Sequence, residues 1–490
     1  MKKPYRILCI DILNHAIAFQ ESYPHLGFGY IIAFLTRSMP DIEVRVIDRD
    51  YIRHFSQFRP DLVAISSVTQ NYHYAIQCAQ ELKKANPVTP IIIGGIHVSQ
   101  LPQSLNPAFD IGVIGEGEET FLELVKHLRI SPQYQKGLEK IKGLTFRKDG
   151  VIIRTEPRPE ITSLDLIPHP ARQLLPHSEY QLLLTSRGCP YQCAFCASAH
   201  YWQKVRYFST EYVLDEISRI IREFPVFNLF IFDDLFVFNK QRLADISEGV
   251  VRAGFHKRIS FWCTARANHI DEESISLLTK MNVKGVGMGL ESGSDRVLKS
   301  LKGPTVSVEI NRRAIALCKK NGLFIHGSFM LGCPTETDAD MRATADFVRT
   351  SGIDKGDITV ATPLPGTQFW QYALREGLAS DSMDWSRLAY RYTDDMPTLD
   401  NHILLSKEVS RERFVRLFRE IAAVLIEKRK AYEARWSLAQ GASISWPMLM
   451  SLYALKKIIR DPRRALRYFW SFIISIPVRF SVMFKNRQVT

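Results

Sequence analysis

The 490-residue sequence predicts an α/β protein: a doubly wound, Rossmann-like sheet, then a partial (β/α)6 barrel, then a helical C-terminal extension. Three observations lead there. Short apolar runs alternate with helical periodicity over residues 1–130. The alternation resumes over 181–375, where each strand ends in polar or glycine residues. From 376 on the strand pattern disappears. Composition agrees, since 46% hydrophobic and 23% charged residues exclude wholesale disorder. Eight cysteines in such a length do not make a disulfide scaffold.

In the first domain, expected over 1–130, RILCIDIL (6–13), EVRVID (43–48), DLVAISSV (61–68), PIIIGGI (90–96) and DIGVIGEGE (110–118) read as buried parallel strands. Helical spacing falls over 26–38, 72–86 and 119–128. Glycines follow the strand ends at Gly94-Gly95 and Gly115-Glu116-Gly117, where a bare backbone lets a ligand approach closely. Residues 131–180 read as a strap, with a KDG turn at 148–150 and prolines at 157, 159, 168 and 170.

The barrel strands are expected at 181–186, 228–234, 260–266, 285–292, 324–331 and 357–363. Helices are expected at 211–224, 239–253, 272–281, 305–321, 336–350 and 367–376, with a site at the strands' C-terminal face. A charged helix over about 407–436 and a basic tail complete the chain. The N-terminus, MKKPYRILCIDILNHAIAF, has no small-residue cleavage site, so we expect no secretory signal and a reducing, cytoplasmic location.

Cys189, Cys193 and Cys196 stand in SRGCPYQCAFCASAHYW, directly after the first barrel strand. Three thiolates spaced C-x3-C-x2-C in one loop can converge on a metal centre, and soft ligands favour iron–sulfur clusters or zinc. A closed zinc site needs a fourth ligand, and only His200 lies near; a structural zinc loop and buried free thiols are the plainer alternatives. Cys9, Cys78, Cys263, Cys318 and Cys333 sit in apolar contexts and read as small buried hydrophobes.

RGCPYQCAFC resembles the cluster loop of the radical S-adenosylmethionine enzymes. The resemblance implies a [4Fe–4S] cluster on Cys189, Cys193 and Cys196, with the open iron binding S-adenosylmethionine. Reduction of that sulfonium yields a 5′-deoxyadenosyl radical, so the protein's work is to place and shield it. Phe195 matches the aromatic often found between the second and third cysteines. At the second strand end, Asp233-Asp234 would bind the methionyl amine, or would cap the next helix. Glu291-Ser292 looks like a ribose or carboxylate contact, or a plain helix start. Arg266 would pair with a carboxylate, or with a surface partner. PLPGT (363–367), including Pro365 and Gly366, resembles the turn beside the adenine.

Ahead of the barrel, PHLGFGYIIAFL (24–35), DLVAISSVTQNYHYA (61–75), IIGGIHVSQLP (92–102) and VIGEGEETF (113–121) look like the cobalamin-binding domain of cobalamin-dependent radical S-adenosylmethionine enzymes. With the barrel, the resemblance spans roughly residues 5–375. It implies cobalamin across the strand ends, its nucleotide tail beside Gly94, Gly95, Gly115, Glu116 and Gly117. The D-x-H-x-x-G motif that supplies a cobalt ligand is absent, because Asp11 and His15 are spaced wrongly. A base-off form without a histidine ligand is therefore expected, its lower face against Thr69, Gln70 and Asn71. His97 is the tempting ligand, with a hydrogen-bonding loop histidine as the competing reading.

These resemblances imply a C-methyltransferase for an unactivated carbon. The 5′-deoxyadenosyl radical would abstract hydrogen, methylcobalamin would supply the methyl group, and a second S-adenosylmethionine would restore it. A radical oxidation or ring closure, as in the anaerobic magnesium-protoporphyrin monomethyl ester cyclase group, is the alternative. A tRNA methylthiotransferase is a remote one: that family has three further N-terminal cysteines, whereas this domain has only Cys9 and Cys78. The expected partners are a small-molecule substrate, lipid-soluble in one reading, and a flavodoxin- or ferredoxin-like electron donor. Nucleic acid is not expected, because most of the +13 charge sits in the last fifty residues, with nine basic residues against one acid. Those residues interleave with Trp446, Tyr453, Tyr468 and Trp470, which predicts that 445–488 docks on an anionic membrane surface without crossing it.

Overall fold

The computed structural model describes residues 4–13, 24–131, 135–176, 180–389, 391–393, 396–399 and 401–441. The expected membrane-docking tail, 445–488, lies outside the described residues. Among those described, no helix is long and apolar enough to cross a membrane.

The N-terminal sheet comprises β1 (Tyr5–Asp11), β2 (Ile42–Ile47), β3 (Leu62–Ser66), β4 (Ile91–Gly94) and β5 (Ile111–Val113), all parallel, in spatial order β2-β1-β3-β4-β5. Alternate side chains point to opposite faces. Ile7, Cys9, Leu62 and Ala64 pack under the helices Leu26–Ser38 and Gly117–Ile130. Leu8, Ile10, Val63 and Ile65 pack instead against Tyr51–Phe58 and Tyr72–Ala85. Burial on both faces explains why these strands read as continuous apolar runs. The helix Tyr51–Phe58 was not expected: its buried side is only Phe55 and Phe58 in a polar segment.

The strap differs more from expectation. Residues 131–180 include β6 (Leu144–Lys148) and β7 (Val151–Arg154), which extend the sheet antiparallel beyond β5. Their two-residue turn, Asp149-Gly150, has positive φ at both positions (50° and 82°), the hairpin geometry matching the strands' twist. The N-terminal unit thus runs past 150. From 155 to 176 the only helical pieces are short 3₁₀ turns, in keeping with the prolines there.

The second sheet is parallel and sequential, β8 (Gln181–Leu183), β11 (Asn228–Ile231), β12 (Ser260–Ala265), β13 (Val283–Glu291), β14 (Phe324–Leu331) and β15 (Lys355–Val360). Helices follow each strand, giving the partial barrel that was expected. One extra helix, Asp295–Lys302, lies between β13 and Val308–Lys320. A small antiparallel pair, β9 (Ser186–Arg187) and β10 (Arg206–Tyr207), brackets the cysteine loop. Beyond the barrel, β16 (Arg391–Thr393) and β17 (Met396–Thr398) pair where no strand was expected. The helix Arg411–Gly441 buries Phe414, Leu417, Phe418, Ile421 and Leu425 at helical spacing, and Leu425 comes against Gly356 of β15.

Candidate functional site

A cavity of about 420 Å³ opens between the two units, at the carboxyl ends of the N-terminal strands where the strand order switches from β1 to β3. Its N-terminal wall is Ser66, Gly94, Gly95, Gly115, Glu116 and Gly117, with Phe28, Ile92, Val113 and Phe121 behind them. Its other wall belongs to the barrel: Leu184, Ser186, Arg187, Gly188, Ser198, Tyr201, Trp202, Phe232 and Asp234. A Cβ on Gly94 or Gly115 would meet nothing within 4 Å, so these glycines leave room rather than relieve a clash. Gly95 is different. Its φ is +106°, and a Cβ there would lie 2.4 Å from the Ser67 carbonyl oxygen.

The cysteine loop leaves β9 through Gly188, whose φ of +95° and closeness to the Lys204 carbonyl exclude a side chain. Ala194 anchors the loop by donating to Leu301 O (2.9 Å) and accepting from Phe369 N (3.3 Å). His200 contacts Cys193 O at 3.2 Å. Burial pushes the Cys196 thiol up to about 11, and it pushes Cys189 up as well, with Asp234 and the neighbouring cysteines adding to it. Among the described residues no three His, Cys, Asp or Glu side chains stand in a ready-made ligand shell. Metal loading of the loop displaces protons.

The barrel residues singled out in the sequence divide sharply. Asp234 lines the cavity and accepts from Ser198 Oγ at 2.8 Å. Burial raises its carboxyl, and the Ser198 hydroxyl opposes that. Asp233 does not line the cavity. Its two oxygens are taken by the amides and hydroxyls of Thr185 and Ser186, so it ties β11 to the chain entering the cysteine loop. Arg266 donates to Lys302 O (2.7 Å), Asn268 Oδ1 (3.0 Å) and Cys193 Sγ (3.3 Å), and stacks on Tyr191. Through the Cys193 contact it braces the loop. Glu291, at φ +59°, is buried beside Lys302 Nζ at 3.4 Å. Ser292 is held by Thr344 of the helix Asp338–Thr350, a packing contact. Pro365 and Gly366 lie outside the cavity lining, and Gly366 is set against the Gln100 side chain.

In the N-terminal unit, Thr69, Gln70, Asn71 and His97 also lie outside the cavity. Asn71 donates to Ile12 O, while Thr69 Oγ1 sits 3.2 Å from His97 Nδ1. His97 Nε2 contacts Ser104 Oγ at 3.0 Å, and the ring stacks on Tyr72 at 3.8 Å and meets the edge of Trp385. Both nitrogens are used, and the residue lies in the short helix Ile96–Gln100 rather than in a loop. Burial lowers the His97 pKa from 6.5 to about 3. The unfolded chain therefore takes up a proton below about pH 6.5 that the native state refuses, so His97 costs stability as the pH falls through that window. Between pH 7 and 5 the native protein should lose about 2 kcal/mol more stability than His97→Gln. Denaturant melts of both proteins at the two pH values check this, and parallel losses would refute it.

Sequence reading missed several cavity residues. His25 caps the helix Leu26–Ser38, accepting from Phe28 N at Nδ1 (3.0 Å), while Nε2 contacts Ser66 Oγ (2.9 Å). Tyr201, Trp202 and Phe232 arrive only through folding. Arg187 and Glu118 carried one faint signal, charges placed beside glycines at ends of otherwise apolar strands. Glu116 turns out to be occupied: Arg187 Nη1 (2.5 Å), Arg206 Nη1 (2.7 Å) and the Ile161 amide (2.7 Å) all donate to it. Burial raises its carboxyl, but the Arg206 and Arg187 guanidinia outweigh that and hold it below the usual range.

Two family models match the chain in turn. The B12 binding domain family matches residues 16–125, and the radical SAM superfamily matches 183–348. An uncharacterised methyltransferase of Pyrococcus horikoshii is 32% identical over 408 residues, covering 79% of this chain and 85% of that one. The cytidylyl-2-hydroxyethylphosphonate methyltransferase of Streptomyces wedmorensis is 26% identical, over 76% of this chain and 81% of its own. Among solved structures, the radical S-adenosylmethionine methyltransferase TsrM of Kitasatospora setae, with cobalamin and a [4Fe–4S] cluster bound, superposes with a TM-score of 0.62 at 18% identity. That superposition covers 76% of this chain and 78% of TsrM and is a likeness of fold. With its B12-binding unit ahead of a radical S-adenosylmethionine barrel, the chain belongs to the cobalamin-dependent radical S-adenosylmethionine enzymes, a family that holds methyltransferases and a related cyclase branch.

Proposed function

We propose that this enzyme transfers a methyl group to an unactivated carbon of a small molecule. One observation carries the reading: a single cavity is walled on one side by the glycine turns of the B12-binding unit and on the other by Gly188, Ser198 and Asp234 of the cysteine loop and its neighbours. The residues fit the two groups by kind. Three thiols in one loop, with Arg266 bracing Cys193, suit a three-ligand iron–sulfur cluster. An apolar slot with Gly94 and Gly115 as bare walls suits a flat nucleotide tail, and its volume suits that tail rather than a whole corrinoid. When bound, the cluster with S-adenosylmethionine supplies a carbon-centred radical, and cobalamin supplies a transferable methyl group.

The chain's own work is placement and shielding. Asp234, oriented by Ser198, presents a carboxylate for an ammonium beside the cysteine loop. Tyr201, Trp202 and Phe232 give the cavity an aromatic lining on the barrel side, which disfavours water beside a reactive intermediate. His97 is engaged away from the cavity, and His25 has a contact at each ring nitrogen. Both contacts favour cobalamin held without an imidazole ligand. The test is incubation of the reconstituted enzyme with candidate pathway intermediates, a reductant and methyl-deuterated S-adenosylmethionine. A product heavier by one deuterated methyl group is expected. A product that has lost hydrogen or gained oxygen, with no label, would replace this reading with the cyclase-like one.

A further inference from the structure

The cysteine loop is a single excursion, residues 188–205, whose two ends meet in the β9–β10 pair. In that pair Arg187 lies directly opposite Arg206. Two cations directly opposite in a ladder repel each other. Here both are buried, with side chains 9% and 3% exposed, so water does little to screen them. The compensation comes from the other unit. Glu116, inside the turn that walls the cavity, takes Arg187 on one carboxylate oxygen and Arg206 on the other, and is itself only 6% exposed. Glu118, in the first turn of Gly117–Ile130, takes the second arm of Arg187 at 2.5 Å. Glu160 of the strap stands 3.5 Å from Arg206 Nε. Glu116 is the only one of the three carboxylates shown bridging both arginines among the described residues.

We propose that Glu116 is a positioning residue that closes the base of the cysteine loop, and so couples cobalamin binding in the cavity to cluster binding by the loop. The proposal rests on the reading above of what the cavity and the cysteines hold. A ligand that orders the turn 115–117 holds Glu116 between the two arginines and favours the closed base. A loaded loop in turn favours the turn geometry that the ligand needs. Linkage requires the two effects to be equal.

The experiment uses the full chain, with and without its cluster, titrated with hydroxocobalamin by equilibrium dialysis. The wild type should bind hydroxocobalamin about 5- to 150-fold more tightly when the cluster is present. In Glu116→Gln that ratio should fall to near one. Should this variant fold poorly, Glu116→Gln/Arg206→Met removes the repelling cation together with its partner and recovers the fold. Amide exchange at 185–187 and 206–208 of the cofactor-free proteins supplies a second readout. It should speed up in Glu116→Gln and slow again in the double variant. The proposal is overturned by a ratio near one in the wild type, by an unchanged ratio in Glu116→Gln, or by stem exchange that ignores Glu116. A wild-type chain that binds no hydroxocobalamin at all refutes the reading of the cavity instead, while the exchange result still decides what Glu116 does.

Discussion

Alanine at any one of Cys189, Cys193 or Cys196 is expected to reduce 5′-deoxyadenosine formation to background and remove the reduced-cluster resonance. Three protein ligands for a four-iron cluster leave none to spare, and the other barrel groups that could bind iron are committed or buried. His200 is engaged with the Cys193 carbonyl. Cys263, Cys318 and Cys333 are buried, and burial raises each thiol, away from the thiolate a metal needs. The loop itself should survive the change, because Ala194, Gly188 and the β9–β10 pair hold its backbone independently of the sulfurs. Iron analysis, electron paramagnetic resonance and product assay on each variant test this together. Normal iron content with normal turnover in the triple alanine variant would end the radical assignment.

Gly94→Phe is expected to weaken hydroxocobalamin binding by about 100-fold or more, equivalent to about 3 kcal/mol, while iron content stays at the wild-type level. The choice of glycine matters. Gly94 is the last residue of β4, and a Cβ there points into open cavity, so the ring fills the slot without straining the backbone. Gly95 would give an ambiguous result, since any side chain there collides with the Ser67 carbonyl. Wild-type protein should hold about one corrin per chain at the sheet's switch point. Its cob(II)alamin spectrum should lack splitting from a protein imidazole. Equal affinity in Gly94→Phe would move the nucleotide tail out of this cavity, and imidazole splitting would overturn the histidine-free form.

Much of the architecture was legible because burial leaves a periodic trace. Ile7 to Ile10 pack alternately on two faces of one sheet, which forces an unbroken apolar run, whereas the barrel strands Ser260–Ala265 and Phe324–Leu331 bury alternate residues. The hairpin at 144–154 was also legible, since Asp149-Gly150 between alternating segments is a strong turn signal. The prolines further along, at 157, 159, 168 and 170, point instead to an irregular strap. The helix Tyr51–Phe58 left little trace, having two buried aromatics in a polar stretch.

At the site, the sequence by itself determined the chemistry-bearing loop and the glycine turns. Both depend on local features: cysteine spacing, and positions where a side chain cannot be tolerated. Tertiary structure alone decided which polar residues face the cavity. Asp233 and Asp234 are neighbours in sequence, yet the turn that follows β11 sends one into a cage of Thr185 and Ser186 donors and the other into the cavity. Glu116 sits between two glycines that suggest ligand contact, but its charge is spent on arginines 71 and 90 residues away. Long-range ion pairs of this kind leave no periodicity to read, because their partners are brought together only when two units bury the same surface.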